Sequence, residues 1–153
     1  MDAELVMVDA DACGSMSGAA ARTAMISGVF AIVGNAGATN CGAVDDLEGL
    51  ANLAAEHDIW LHVDGAYGLA ALGDPEIRMA FKGIERADSF IVDPHKWLFA
   101  PYDSCAFVYR DPIKGAQAHG QQGVYLDTLD HTAWNPSDYA LQLTRRARGL
   151  PLW

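Results

Sequence analysis

The sequence predicts an α/β protein with a mostly parallel sheet and flanking helices. Three observations lead there. Short apolar runs alternate with stretches of helical spacing over the first 110 residues. One run, GVFAIVG at 28–34, is apolar without a break and closed by glycine, as in parallel-sheet strands buried on both faces. Only eleven residues, 93–103, separate the last two strand patterns. A parallel crossover takes about a dozen or more, so the final strand is expected to run antiparallel to its predecessor.

In chain order, ELVMV at 4–8 reads as a short strand, and the Ala-rich residues 15–27 as a helix. The apolar strand at 28–34 runs into the loop NAGATNCGAV. Asp45 and Glu48 then form a capping-box pattern, opening a helix to about His57 with Leu47, Leu50, Ala51 and Ala54 on one face. IWLHV at 59–63 is the next strand, ended by Asp64. Pro75 opens a second helix, with Ile77 and Phe81 one turn apart. Residues 89–92 and 104–109 are the last two strands, joined by a loop carrying Asp93-Pro-His-Lys-Trp. From Asp111 to Gly123 the chain is polar and Gly-rich, and it closes on the basic, apolar TRRARGLPLW.

At 153 residues the chain suits one domain, on the usual ~100–200 residues each. With 51% hydrophobic and 20% charged residues it is not disordered. Its net charge of −10 repels phosphate backbones, so no nucleic-acid partner is expected. Residues 19–38 are apolar but hold Arg22, Asn35 and several glycines; a helix end running into a strand fits them better than a membrane span. Asp2 and Glu4 carry the wrong charge for a signal peptide. Cys13, Cys41 and Cys105 are odd in number and lack CxxC spacing, which fits reduced thiols and a cytoplasmic setting.

In sheets of this kind ligands bind beyond the carboxyl ends of the strands. Residues 36–41, 64–68 and 93–97 lie there. Lys96 is one of only three lysines, and it follows a strand among Pro94, Trp97, Leu98 and Phe99. A surface lysine is the common reading. A desolvated lysine is instead an amine nucleophile, suited to a Schiff base with a carbonyl cofactor. Asp64 precedes Gly65, Ala66, Tyr67 and Gly68. It suits a helix N-cap, a metal ligand (though His62 alone is a weak companion), or a partner for a protonated pyridine nitrogen above small residues.

LHVDGAYG followed by ADSFIVDPHKWL resembles the group II pyridoxal-phosphate-dependent amino-acid decarboxylases, whose members include aromatic L-amino acid and glutamate decarboxylases. AIVGNAGATNCGAVDDL and APYDSCAFVYRD are similar to the neighbouring family segments. The resemblance implies part of the large domain of a fold-type I pyridoxal-phosphate enzyme. Residues 1–110 would be the central part of that domain; residues 111–153 would carry a mobile catalytic loop and the start of the segment leading to a C-terminal domain. Residue by residue, it implies that Lys96 holds pyridoxal 5'-phosphate and that Asp64 keeps the ring nitrogen protonated. Ala66 packs under the ring, and Thr39 lines the pocket near ring and substrate. Asp93 and His95 stand at the phosphate end. Tyr125, in GVYLDTLD, matches a loop tyrosine that gives a proton to Cα in the partner subunit's site. The implied partners are an amino-acid substrate and a second copy of the chain, a homodimer. Ala38 and Gly65 depart mildly from the family pattern.

The resemblance also implies a central piece of a longer decarboxylase. On that reading these 153 residues alone bind the cofactor poorly and decarboxylate nothing. The competing readings are a non-catalytic remnant and another reaction of the same cofactor, transamination or oxidative deamination. The remaining candidates have plainer roles. His57 suits a helix C-terminus, and His119 and His131 suit solvated loops. Cys41 and Cys105 suit small buried sites. Arg145, Arg146 and Arg148 suit a subunit or domain contact.

Overall fold

The computed structural model describes residues 3–120, 134–142 and 144–153. Its centre is a four-stranded sheet in the order β1 (Ala31–Asn35), β2 (Trp60–Asp64), β3 (Ser89–Val92), β4 (Ala106–Tyr109). The first three strands are parallel and β4 is antiparallel to β3, as the short connection requires. Helices α1 (Gly18–Ala24) and α2 (Leu47–His57) precede β1 and β2, while α3 (Pro112–His119) and the short α4 (Gly149–Leu152) follow β4.

The core forms where α2 meets one face of the sheet. Leu47, Leu50 and Leu53 are at most 1% exposed and pack with Ile32, Leu61 and Val63. Burying each such leucine stabilises the fold by about 1.5–3 kcal/mol. Gly34 makes the approach possible, because a Cβ there would stand 2.9 Å from Leu50 Cδ1. The opposite face carries Trp60, His62 and Tyr109. Part of it is covered by α3, whose Gly115 lies against the Tyr109 ring and whose Lys114 Nζ sits 5.6 Å from the Trp60 ring centre.

Several expectations need correction. Residues 4–8 form no strand, and Leu5 and Met7 are each 79% exposed. The helix expected at 15–27 shortens to Gly18–Ala24, opened by Ser17, whose side chain accepts from Ala20 N. The first sheet strand begins at Ala31 and is buried on one face only, with Val33 59% exposed. Helix α2 is capped by Asp46 rather than Asp45: Asp46 accepts from Gly49 N. Asp45 is drawn away because its carboxylate accepts from Met16 N and Asn35 N, each at 2.7 Å. No α-helix starts at Pro75. Three 3-10 turns, Gly68–Gly73, Arg78–Phe81 and Ile84–Arg86, make this connection. Only Phe81 of its helical pair is buried. Gly83, at φ +104, passes so near the start of α2 that a Cβ would lie 2.5 Å from Glu48 N. The polar stretch after Asp111 contains α3, which Asp111 caps by accepting from Ile113 N ahead of a proline in the first turn.

Asp45 thus ties the approach to α1 to the end of β1 from a buried position. Asp45→Ala is expected to leave two amides unpaired and to cost roughly 2–4 kcal/mol. Urea unfolding of the protein that carries these residues reads this directly, and an unchanged midpoint would contradict the role.

Candidate active site

The chemistry-bearing residues meet at the carboxyl ends of β1, β2 and β3. Backbone pairing continues beyond the strands there. Ala36 N donates to Asp64 O, Gly65 N to Ile91 O, and Asp93 N to Ala66 O, at 2.8, 3.1 and 3.1 Å. The loop after β1 also crosses the loop after β2 at backbone contact. A Cβ on Gly37, at φ +99, would meet Gly68 Cα at 2.5 Å. Only glycine fits both sides of such a crossing.

Asp64 closes β2 with an exposed carboxylate that accepts one hydrogen bond, from Ala66 N at 3.0 Å. Lys96 follows β3, the next parallel strand, so the two residues lie at the same, carboxyl end of the sheet. Ala66 is half-buried between them in sequence and bonds the Lys96 loop through its carbonyl. Thr39 is exposed in the turn closed by Gly42 N donating to Ala38 O. Tyr67 and Trp97 stack with ring centres 5.7 Å apart, joining the second and third loops. His95 Nδ1 bonds the Ser104 carbonyl, and its ring meets Tyr102 edge-on. Tyr125 and His131 lie outside the described residues.

The expected desolvation of Lys96 is not observed. Its side chain is 37% exposed, and Trp97, Leu98 and Phe99 point largely to solvent. Lys96 Nζ is instead held 2.9 Å from Asp93 Oδ2. Asp93 is buried, and among the described residues its Oδ1 has no hydrogen-bond partner. The Asp-x-x-Lys spacing of residues 93–96 is the sequence signal for this ion pair. Asn35 Oδ1, at the end of β1, is a second buried oxygen without a partner among the described residues. Cys13, Cys41 and Cys105 are exposed free thiols, against the expectation that Cys41 and Cys105 are buried. The Cys105 thiol is nonetheless pushed up to about 11 by local desolvation and the Asp93 carboxylate. His119 is not in a loop: it ends α3, half-buried, 6.2 Å from the Tyr109 ring, with Nδ1 buried. Arg146 and Arg148 are spent on Asp103, which Arg148 grips with both Nε and an Nη nitrogen. Those two arginines hold Asp103 well below the usual carboxylate range. Among the described residues no cluster has metal-ligand character, and no helix is long and apolar enough to cross a membrane.

Burial is the largest influence on Asp93 and opposes its ionisation, but Lys96, Cys105 and His95 together hold its carboxyl below the ordinary 3.8. A depressed pKa contributes stability that is present above the unfolded value and lost as pH falls through the folded one. Asp93→Asn is therefore expected to lower stability at neutral pH and to flatten its decline below pH 3.8. Unfolding midpoints measured between neutral and acid pH check this, and parallel curves for the two proteins would refute it.

Residues 3–153 match the pyridoxal-dependent decarboxylase conserved domain. The aromatic-L-amino-acid decarboxylase of Bacillus atrophaeus is 39% identical over 127 residues, which is 81% of this chain and 26% of that protein. Among solved structures, mouse CSAD aligns with a TM-score of 0.86 at 33% identity, over 95% of this chain and 32% of its own. Oryza sativa TDC with PLP and tryptamine aligns with a TM-score of 0.84 at 28% identity, over 98% of this chain and 32% of its own. The chain thus spans about a quarter to a third of the length of these relatives. With a match across nearly all of its residues and the strand order and strand-end loops described above, the chain belongs to the pyridoxal-dependent decarboxylase family.

Proposed function

We propose that the protein carrying these residues uses pyridoxal phosphate to decarboxylate an amino acid, giving the amine and carbon dioxide. The observation that carries this reading is the placement of an amine and a carboxylate, Lys96 and Asp64, beyond the carboxyl ends of adjacent parallel strands. The group has two ends that these residues fit. An aldehyde suits the solvent-accessible Lys96 amine, and a pyridine nitrogen suits Asp64, whose exposed carboxylate accepts, among the described residues, the Ala66 amide alone. The unpartnered oxygens of Asn35 and Asp93 mark the same strand ends as places where polar groups are still owed a partner.

When bound, pyridoxal phosphate supplies an electron sink for the pair left on Cα as carbon dioxide departs. The chain's own residues do the rest. Lys96 would hold the group through Nζ, the nitrogen now paired with Asp93. Asp64 keeps a proton on the ring nitrogen, placing negative charge where positive charge must persist. Ala66 offers a small surface beneath the ring, and Thr39 borders the substrate. His95 serves the phosphate end. Asp93 enters the site through Lys96, because one anion does not bind another. Tyr125 gives Cα its proton. The reading includes a homodimer, with Tyr125 serving the partner's site, and a cytoplasmic setting in keeping with three free thiols.

Borohydride reduction in the presence of pyridoxal phosphate is expected to leave a stable adduct on the peptide containing Lys96, read by mass spectrometry. No adduct, or one on Lys82 or Lys114, overturns the assignment. Asp64→Asn is expected to keep part of the bound cofactor while turnover falls about 10²–10³-fold, the loss typical of removing one electrostatic stabiliser. Turnover equal to that of the unaltered protein removes Asp64 from the mechanism.

A further inference from the structure

The sheet face opposite α2 carries a hydrogen-bond chain that the reading above does not use. Ser89, 2% exposed, accepts at Oγ from Trp60 Nε1 at 2.9 Å, and the same Oγ lies 2.8 Å from His62 Nδ1. An indole N–H only donates, so Ser89 Oγ accepts there, and we assign its own hydrogen to His62 Nδ1. Among the described residues that hydrogen has no other partner. That assignment makes His62 the neutral ring with its proton on Nε2. It stands two residues before Asp64 on the same face of β2.

We infer that the Trp60–Ser89–His62 chain is a positioning device that keeps His62 uncharged, so that the negative charge of Asp64 remains available to a cation bound beyond the strand end. This rests on the proposed role of Asp64. A protonated His62 would be a competing cation at the base of the site. To take that second proton the ring must lose its acceptor role toward Ser89, stranding a buried hydroxyl hydrogen. Burial acts in the same direction. The ring is stacked on Phe107 of β4 at 5.4 Å, pairs in register with Val33 of β1 and with Ser89 of β3, and is half-buried. Asp64 is the charged group that acts on it, pulling toward protonation; Lys114 of α3 lies beyond, over Trp60. Burial outweighs both Asp64 and the backbone of Ser89, which favours the protonated ring, and holds His62 below its ordinary 6.5.

The test is nitrogen-15 NMR of the imidazole in the protein that carries these residues, with and without cofactor. Wild-type His62 is expected to show a protonated Nε2 and a bare Nδ1 at neutral pH, and to titrate below 6.5; Ser89→Ala moves the titration upward. A ring protonated at Nδ1, or one that titrates alike with and without the Ser89 hydroxyl, overturns the inference. In a second arm, His62→Arg places a permanent cation beside Asp64 and is expected to retain cofactor at least tenfold more weakly than the neutral His62→Gln. Equal retention by the two also overturns it. The borohydride adduct separates the two levels. Its absence removes the reading of the site, whereas an intact Lys96 adduct beside a doubly protonated His62 removes only this inference.

Discussion

The strand-end region depends on a backbone ladder that does not stop where the strands do. Ala36, Gly65 and Asp93 each donate an amide to the neighbouring segment just past β1, β2 and β3. These bonds hold three loops side by side, so the first side chains after the strands keep a fixed spacing. The ladder requires close approach, which explains the small residues around it. Gly37 and Gly68 touch through their backbones, and a Cβ on Gly65 would stand 2.3 Å from Leu69 Cβ. The glycines at these positions therefore have a packing cause. They allow a carboxylate and an amine to be carried on adjoining strands without large side chains between them.

The alternation of β2 divides labour between the two faces of the sheet. Leu61 and Val63 turn to α2 and are buried. Trp60, His62 and Asp64 turn the other way, and polarity grows toward the carboxyl end. The indole and imidazole find their partner in one hydroxyl, Ser89. The carboxylate, last in the row, reaches solvent. A period of two thus builds the core and the site with the same five residues.

Much of this was legible in the sequence because it is local. The bounds of β3 and the reversed direction of β4 follow from an apolar run and the length of a loop. The leucine face of α2 follows from helical spacing, and the Asp64 and Lys96 motifs follow from family resemblance. What was not legible depends on tertiary partners. Asp45 looked like the cap of α2, but amides of Met16 and Asn35, distant in sequence, claim it. A helix after Pro75 gave way to 3-10 turns because Gly83 must pass against the start of α2. Lys96 looked desolvated from its apolar neighbours, yet those neighbours face outward and the amine pairs with Asp93. Local composition reports which residues are near in the chain, and burial depends on which are near in space.

The carboxylates around the strand ends sharpen the case for Asp64. Asp45 binds two amides, and Asp46 binds Gly49 N and Gly18 N. Asp88 accepts from Leu61 N, Asp93 holds Lys96, and Asp103 is gripped by Arg146 and Arg148. Each of these charges is already engaged in holding the fold together. Asp64 is exposed, accepts a single amide, and has a neighbouring imidazole held neutral by its own hydrogen bond. In a chain with a net charge of −10, acidity alone identifies nothing. The distinguishing property is an exposed carboxylate with bonding capacity left over, at the end of a face where Trp60, His62 and Ser89 satisfy one another.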